Sequence, residues 1–153
     1  MTHTYHVSVA WNTERKGLMC SPELNQNMNT NCGCIEVATP PEFPKGMPGI
    51  WSPEHLFTAA VSSCLMTTFL AVAENSKLEF VSFKCDSEGK LEQVDGKWLM
   101  TEVHLMPTVE VKLDKDIERA ERVLQKAEAN CLISNSIKAK VTMQSRVLMV
   151  VVG

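Results

Sequence analysis

The chain of 153 residues is 44% hydrophobic and 22% charged, with 15 basic against 18 acidic residues for a net charge of −3. That length supports one domain, 1–153, with a core that needs no staples, and the composition excludes a disordered polyelectrolyte. The slight acidic excess offers no basic footprint for nucleic acid or for an anionic membrane surface, so neither partner is expected.

Residues 1–17 lack a basic segment followed by an apolar one. They do not read as a secretory signal, and the expected address is cytoplasmic. At that address the six cysteines read as free thiols, metal ligands or redox catalysts before they read as a disulfide framework.

Tyr5, Val7, Val9 and Trp11 alternate with His6, Ser8 and Ala10, the period of a half-buried strand, and Glu14-Arg15-Lys16-Gly17 is expected to reverse it. Residues 20–31 are rich in Ser, Pro and Asn without a period and read as a loop. A short strand, 35–39, leads out of it. The prolines and glycines between Pro40 and Pro53 exclude a helix interior or a central strand. Trp51-Ser52-Pro53-Glu54 ends that loop, with Ser as N-cap, Pro at the first helical position and Glu on the positive end of the helix dipole.

The helix predicted from His55 to about Asn75 is apolar or small nearly all round. It is long enough to span a bilayer, but Ser62, Ser63, Thr67 and Thr68 dilute it and the rest of the chain alternates like soluble sheet. A helix buried on all sides is the reading these features support. Strands follow at 80–85 and 99–105, the second after a hairpin turn at Asp95-Gly96. A second helix runs from an Asp114 cap to about Asn130, with Ile117, Ala120, Leu124 and Ala127 as its apolar stripe. A final strand, 140–152, has an apolar tail. The order is α+β rather than a βαβ parallel sheet. One sheet and one partner helix cannot cover every side of the long helix, so a homodimer with these helices at its centre is expected.

Cys64 sits in the middle of the first helix, with Ala60, Val61, Thr67 and Thr68 at helical spacing. Cys131 ends the second, in Asn130-Cys131-Leu132-Ile133-Ser134-Asn135. Free cysteine is among the most buried residue types, so packing alone accounts for each taken singly. Together with Trp51-Ser52-Pro53-Glu54-His55-Leu56-Phe57, however, these segments resemble the OsmC/Ohr family of peroxidases over nearly the whole chain. The family shows a Pro-Glu-x-Leu segment, a Cys ten residues after the Glu, and a Cys-x-x-Ser some 67 residues further on, as here. It also places an arginine in the first hairpin, where Arg15 stands.

The resemblance implies antiparallel sheets wrapped around a long central helix in an intertwined homodimer. It implies a thiol-dependent reductase of organic hydroperoxides in oxidative stress defence, with Cys64 peroxidatic and Cys131 resolving. A thiolate attacks the peroxide, becomes a sulfenic acid and condenses with a second thiol before over-oxidation. Burial opposes that thiolate, so a cation is needed. Arg15 is the candidate, and Glu54 would hold its guanidinium and help with the proton of the leaving alcohol. Without the resemblance, Arg15 reads as a solvated turn residue and Glu54 as a dipole partner. Ten residues of straight helix rise about 15 Å. Either the helix breaks between Glu54 and Cys64, or Arg15 and Glu54 reach Cys64 from the other subunit, which is the expectation here.

Cys20, Cys32 and Cys34 lack the paired spacing of a structural zinc site, and His3 and His6 are loosely placed, so no metal is expected and the three read as spare loop thiols. Cys85 reads as a strand core residue. No cofactor is required, because sulfur carries the electrons. An external dithiol must reduce the disulfide, a lipoylated protein being one candidate. The alternative is a redox-sensing or small-ligand-binding dimer of the same fold with little turnover.

Overall fold

The computed structural model describes residues 1–24 and 33–151. They form two compact units, residues 1–56 and 57–153.

The first unit is a three-stranded antiparallel sheet in the order β1 (Ser8–Thr13), β2 (Lys16–Cys20), β3 (Cys34–Ala38). Glu14, at φ 49°, and Arg15 make the reversal between β1 and β2. There the Trp11 indole N–H donates to the Glu14 carbonyl at 2.9 Å. A Cβ at buried Gly17 would lie 2.4 Å from the Ala10 carbonyl oxygen, so only glycine lets β2 close on β1 beside the bulge at Trp11. The expected burial of the apolar face does not occur. Tyr5, Val7, Val9 and Trp11 are 66–82% exposed and the strand begins only at Ser8, because nothing in this unit covers that face.

After β3 the chain runs through the proline-rich loop to Trp51, whose carbonyl accepts the Ala38 N–H at 2.9 Å. Helix α1 (Pro53–Asn75) starts as its cap residues dictate. The Ser52 hydroxyl accepts the His55 N–H at 3.1 Å and the Ser52 carbonyl accepts the Leu56 N–H at 3.0 Å.

In the second unit, β4 (Ser82–Val94) and β5 (Lys97–Val111) form a long hairpin, turned by Asp95 and Gly96 at φ 50° and 78°. Both angles are positive, the backbone of the tight hairpin turn that Asp-Gly favours. Helix α2 (Lys115–Ala129) then leads to β6 (Lys140–Met143) and β7 (Arg146–Met149), both parallel to β5. A crossover through α2 with parallel pairing was not expected from the sequence, and the single final strand predicted at 140–152 is two. The Gln144 N–H donates to the Leu105 carbonyl between them. Asp114 is not a side-chain cap. It is itself helical, and the Leu113 and Asp114 carbonyls accept the N–H groups of Asp116 and Ile117.

Alternate residues of β5, Val103, Leu105, Val109 and Val111, are fully buried on one face. They pack with Val61, Leu65, Phe69 and Ala73 of α1 and Ala120, Val123, Leu124 and Ala127 of α2. Buried Val61, Leu65, Phe69 and Ala73 recur at every fourth position of α1, with Cys64 beside them, so this unit covers one face of it. Met66 and Leu70, on another side, stay 40% and 43% exposed. By length and composition α1 is enough to cross a membrane, yet one face of it is part of this core.

Candidate functional site

Cys64 lies on the buried side of α1, next to Val61 and Leu65, and is 8% exposed. Cys131, 1% exposed, is the second residue after α2. Its position follows from how α2 ends. Two asparagines add side-chain donors to the carbonyls at the helix end, where the Lys126 carbonyl already accepts the Asn130 backbone N–H at 3.1 Å. The Asn130 side chain donates to the Lys126 carbonyl at 2.7 Å, and the Asn135 side chain to the Ala129 carbonyl at 3.2 Å. The Asn135 backbone N–H donates to the Cys131 carbonyl at 3.0 Å. The turn so fixed carries Cys131 and aims the backbone N–H groups of Leu132 and Ile133 at Cys64.

The two thiols interact, and their pKa values move in opposite directions. Burial works against a Cys64 thiolate. It is outweighed by the Cys131 thiol, the Ile133 N–H, the Thr68 hydroxyl and the Leu132 N–H, so the Cys64 pKa falls below the ordinary thiol value. The Thr68 Oγ1 stands 3.9 Å from the sulfur, one helical turn further on. Burial pushes the Cys131 thiol up. The hydrogen bond it gives to Cys64, and the charge there, push the same way, against weaker opposition from donors at Ser134. The arrangement is thus one nucleophilic sulfur with a protonated sulfur against it.

Of the four residues expected at the site, this unit brings Cys64 and Cys131 together. Arg15 and Glu54 are together in the other unit, where both line a pocket of about 400 Å³ with Ala38, Thr39, Phe43 and Pro53. Arg15 is exposed on the β1–β2 turn, and its carbonyl accepts the Thr39 N–H at 3.1 Å. Helix α1 runs without a break from Glu54 to Cys64, which removes the alternative of a helix interrupted between them.

Thr68, Leu132 and Ile133 were not singled out as site residues from the sequence. The i, i+4 spacing of Cys64 and Thr68 is the only trace any of them leaves, since a backbone donor has no side-chain signature. Cys85 is half-buried against the core on β4, as expected, and burial raises its pKa despite a hydrogen bond with Ser87. Cys20 and Cys34, expected as spare thiols, are joined in a disulfide across β2 and β3. They are direct partners in that ladder, with Cα atoms 4.1 Å apart. Cys32 lies outside the described residues, as does most of the loop predicted at 20–31. Among the described residues, no three His, Cys, Asp or Glu side chains group in a way that could hold a metal ion.

The OsmC-like protein family matches residues 46–146, a span that contains Glu54, Cys64 and Cys131. The uncharacterized protein YmaD of Bacillus subtilis is 30% identical over 121 residues, 73% of this chain and 81% of that one. Among solved structures, an OsmC-like protein of unknown function from Vibrio cholerae superposes with a TM-score of 0.79 at 22% identity, over 94% of this chain and 99% of the other. An organic hydroperoxide resistance protein from Elizabethkingia anophelis does so with a TM-score of 0.73 at 20% identity, over 98% and 99%.

Proposed function

This chain belongs to the OsmC-like family, and we propose that it reduces organic hydroperoxides to alcohols through a Cys64 sulfenic acid resolved by Cys131. The observation that carries the reading is the pair of buried thiols with opposed ionisation. A likeness to a protein named for organic hydroperoxide resistance supports the substrate class.

In this scheme the Cys64 thiolate attacks the distal oxygen of ROOH. The O–O bond breaks, Cys64 becomes a sulfenic acid, and RO⁻ takes a proton and leaves as ROH. Cys131 then attacks the Cys64 sulfur, its proton departs with the hydroxyl as water, and a Cys64–Cys131 disulfide forms. Two electrons have passed from two thiols to one peroxide. An external dithiol returns them by exchange, with a lipoylated protein as one candidate. The apolar surroundings, Val61 and Leu65 beside Cys64, suit an alkyl peroxide better than hydrogen peroxide.

Arg15 and Glu54 enter this scheme from a second subunit. Glu54 and Cys64 are ten residues apart on an unbroken helix, a rise of about 15 Å. The uncovered apolar residues Met66 and Leu70 on α1, and Tyr5, Val7, Val9 and Trp11 on the first sheet, supply surface for a homodimer. In that dimer the guanidinium favours the Cys64 thiolate and Glu54 holds it.

The experiment is to treat the reduced chain with cumene hydroperoxide and a sulfenic-acid trap. A Cys131→Ser chain should carry the trap on Cys64. A chain that forms neither trapped Cys64 nor alcohol is not a peroxidase, and formation of the disulfide without turnover would favour redox sensing.

A further inference from the structure

The Cys20–Cys34 disulfide is not used by the scheme above, and its surroundings are those of a reactive bond. Cys34 is exposed and Cys20 half-buried. Both line an open pocket of about 430 Å³, together with His6, Ser8, Ser21 and Gly33. Exposed disulfides are the ones that exchange, because a thiolate reaches them without unfolding the chain.

The histidine in that pocket is held by a carboxylate. Glu23, on the short turn after Cys20, accepts His6 Nδ1 at 2.7 Å and the His6 backbone N–H at 3.2 and 3.3 Å through its two oxygens. A carboxylate accepts and does not donate, so in the neutral ring Nδ1 carries the proton and Nε2 is left as the acceptor. A base oriented by a carboxylate and lining the same pocket as an electrophilic disulfide has the parts needed to activate an incoming nucleophile.

We propose that Cys20–Cys34 is a second redox site, at which an external low-molecular-weight thiol exchanges with the disulfide and His6 handles the proton. The incoming thiol gives its proton to His6 Nε2 and its sulfur attacks the exposed Cys34 Sγ. The Cys20–Cys34 bond breaks, and Cys20 leaves as a thiolate that takes the proton from His6. A second thiol attacks the mixed disulfide on its external sulfur and frees Cys34. Two external thiols are oxidised to one disulfide, and two cysteines are reduced. This site does not depend on the reading of Cys64 and Cys131.

The test uses the full chain with Cys32→Ser, which removes the cysteine two residues before Cys34, and reduced glutathione as the thiol. Differential alkylation and peptide mapping follow Cys20 and Cys34 separately from the other cysteines. Glutathione should open the disulfide in the folded chain at pH 7. In a Cys20→Ser chain, glutathione disulfide should place one glutathione on Cys34. His6→Ala should slow the opening by at least about tenfold at pH 7, and the difference should vanish above about pH 9, where the incoming thiol is already ionised. Opening that occurs only in denaturant overturns the proposal, and so does an unchanged rate in His6→Ala at pH 7. A deficit that persists at high pH would make His6 a structural residue and remove the assigned proton transfer.

Discussion

Cys131 is the thiol partner of Cys64, and their interaction lowers the pKa of Cys64 while helping, behind burial, to raise that of Cys131. The contact acts on both sulfurs at once, beside the Ile133, Thr68 and Leu132 donors at Cys64 and behind the burial that dominates at Cys131. In the proposed scheme the sulfur on α1 attacks and the sulfur after α2 stays protonated until it resolves the sulfenic acid. Replacing each should give different failures. Cys64→Ser should lower peroxidase turnover by about three orders of magnitude or more, as loss of a nucleophile does. Cys131→Ser should still consume one equivalent of peroxide and then stop, with Cys64 oxidised to the sulfenic acid and, with excess peroxide, beyond it. Single-turnover kinetics and intact mass separate the two.

The direction of the Cys64 shift sets the pH dependence. The thiolate is the reactive form, so the rate of Cys64 alkylation rises as pH rises through its pKa, and a lowered pKa puts that rise below the range of an ordinary thiol. Cys131→Ala removes one of the donors that hold the thiolate and should move the profile to higher pH. A hydrogen bond to a charged group is worth about 1.5 kcal/mol or more, so on the rising limb of the profile reactivity should fall by up to about tenfold. Thr68→Val should move it the same way. A profile measured with iodoacetamide that is unchanged in both variants would contradict the account of the shift.

Sharing of sites between subunits has its own signature. A Cys64→Ser chain and a Glu54→Ala chain are each expected to be impaired alone. Mixed and allowed to exchange, they should form heterodimers in which one site has both residues intact, restoring about a quarter of the wild-type site count under random assortment. If Glu54 served the Cys64 of its own chain, mixing would restore nothing.

Phe69 is fully buried, with its ring 5.1 Å from that of Phe80 and 4.9 Å from that of Phe83. It fills the space where α1 meets the β4 side of the second unit. Phe69→Ala should cost about 3–5 kcal/mol of stability through lost burial and the cavity left behind, measured by urea denaturation.

Much of this organisation was legible residue by residue. Ser52-Pro53-Glu54 announces the start of α1 because a hydroxyl cap and a missing N–H suit only that place in a helix, and Asp95-Gly96 announces the hairpin because both positions need positive φ. Cys64 and Cys131 stand out only through the resemblance to the OsmC/Ohr family, since packing alone accounts for each of them singly. What stayed hidden depends on partners remote in sequence. The parallel pairing of β6 and β7 with β5 is set by a crossover that local periodicity does not record, and Gln144 splits the final strand by bonding to Leu105. The Cys20–Cys34 bond depends on the register of β2 against β3, which places the two residues opposite each other. The alternation of Tyr5, Val7, Val9 and Trp11 predicts a half-buried strand, yet a strand period tells which side chains share a face and says nothing of what covers it.

In the proposed reaction Cys64 and Cys131 together pass two electrons to an organic hydroperoxide. Its most direct measurement is the titration of the fully reduced chain with cumene hydroperoxide, counting alcohol formed and mapping the thiols lost. One alcohol per chain is expected, with Cys64 and Cys131 recovered in a single disulfide-linked peptide pair, and repeated turnover once a dithiol is supplied. Alcohol production that leaves both thiols free, or a Cys64→Ser chain that turns over as the wild type does, would contradict it.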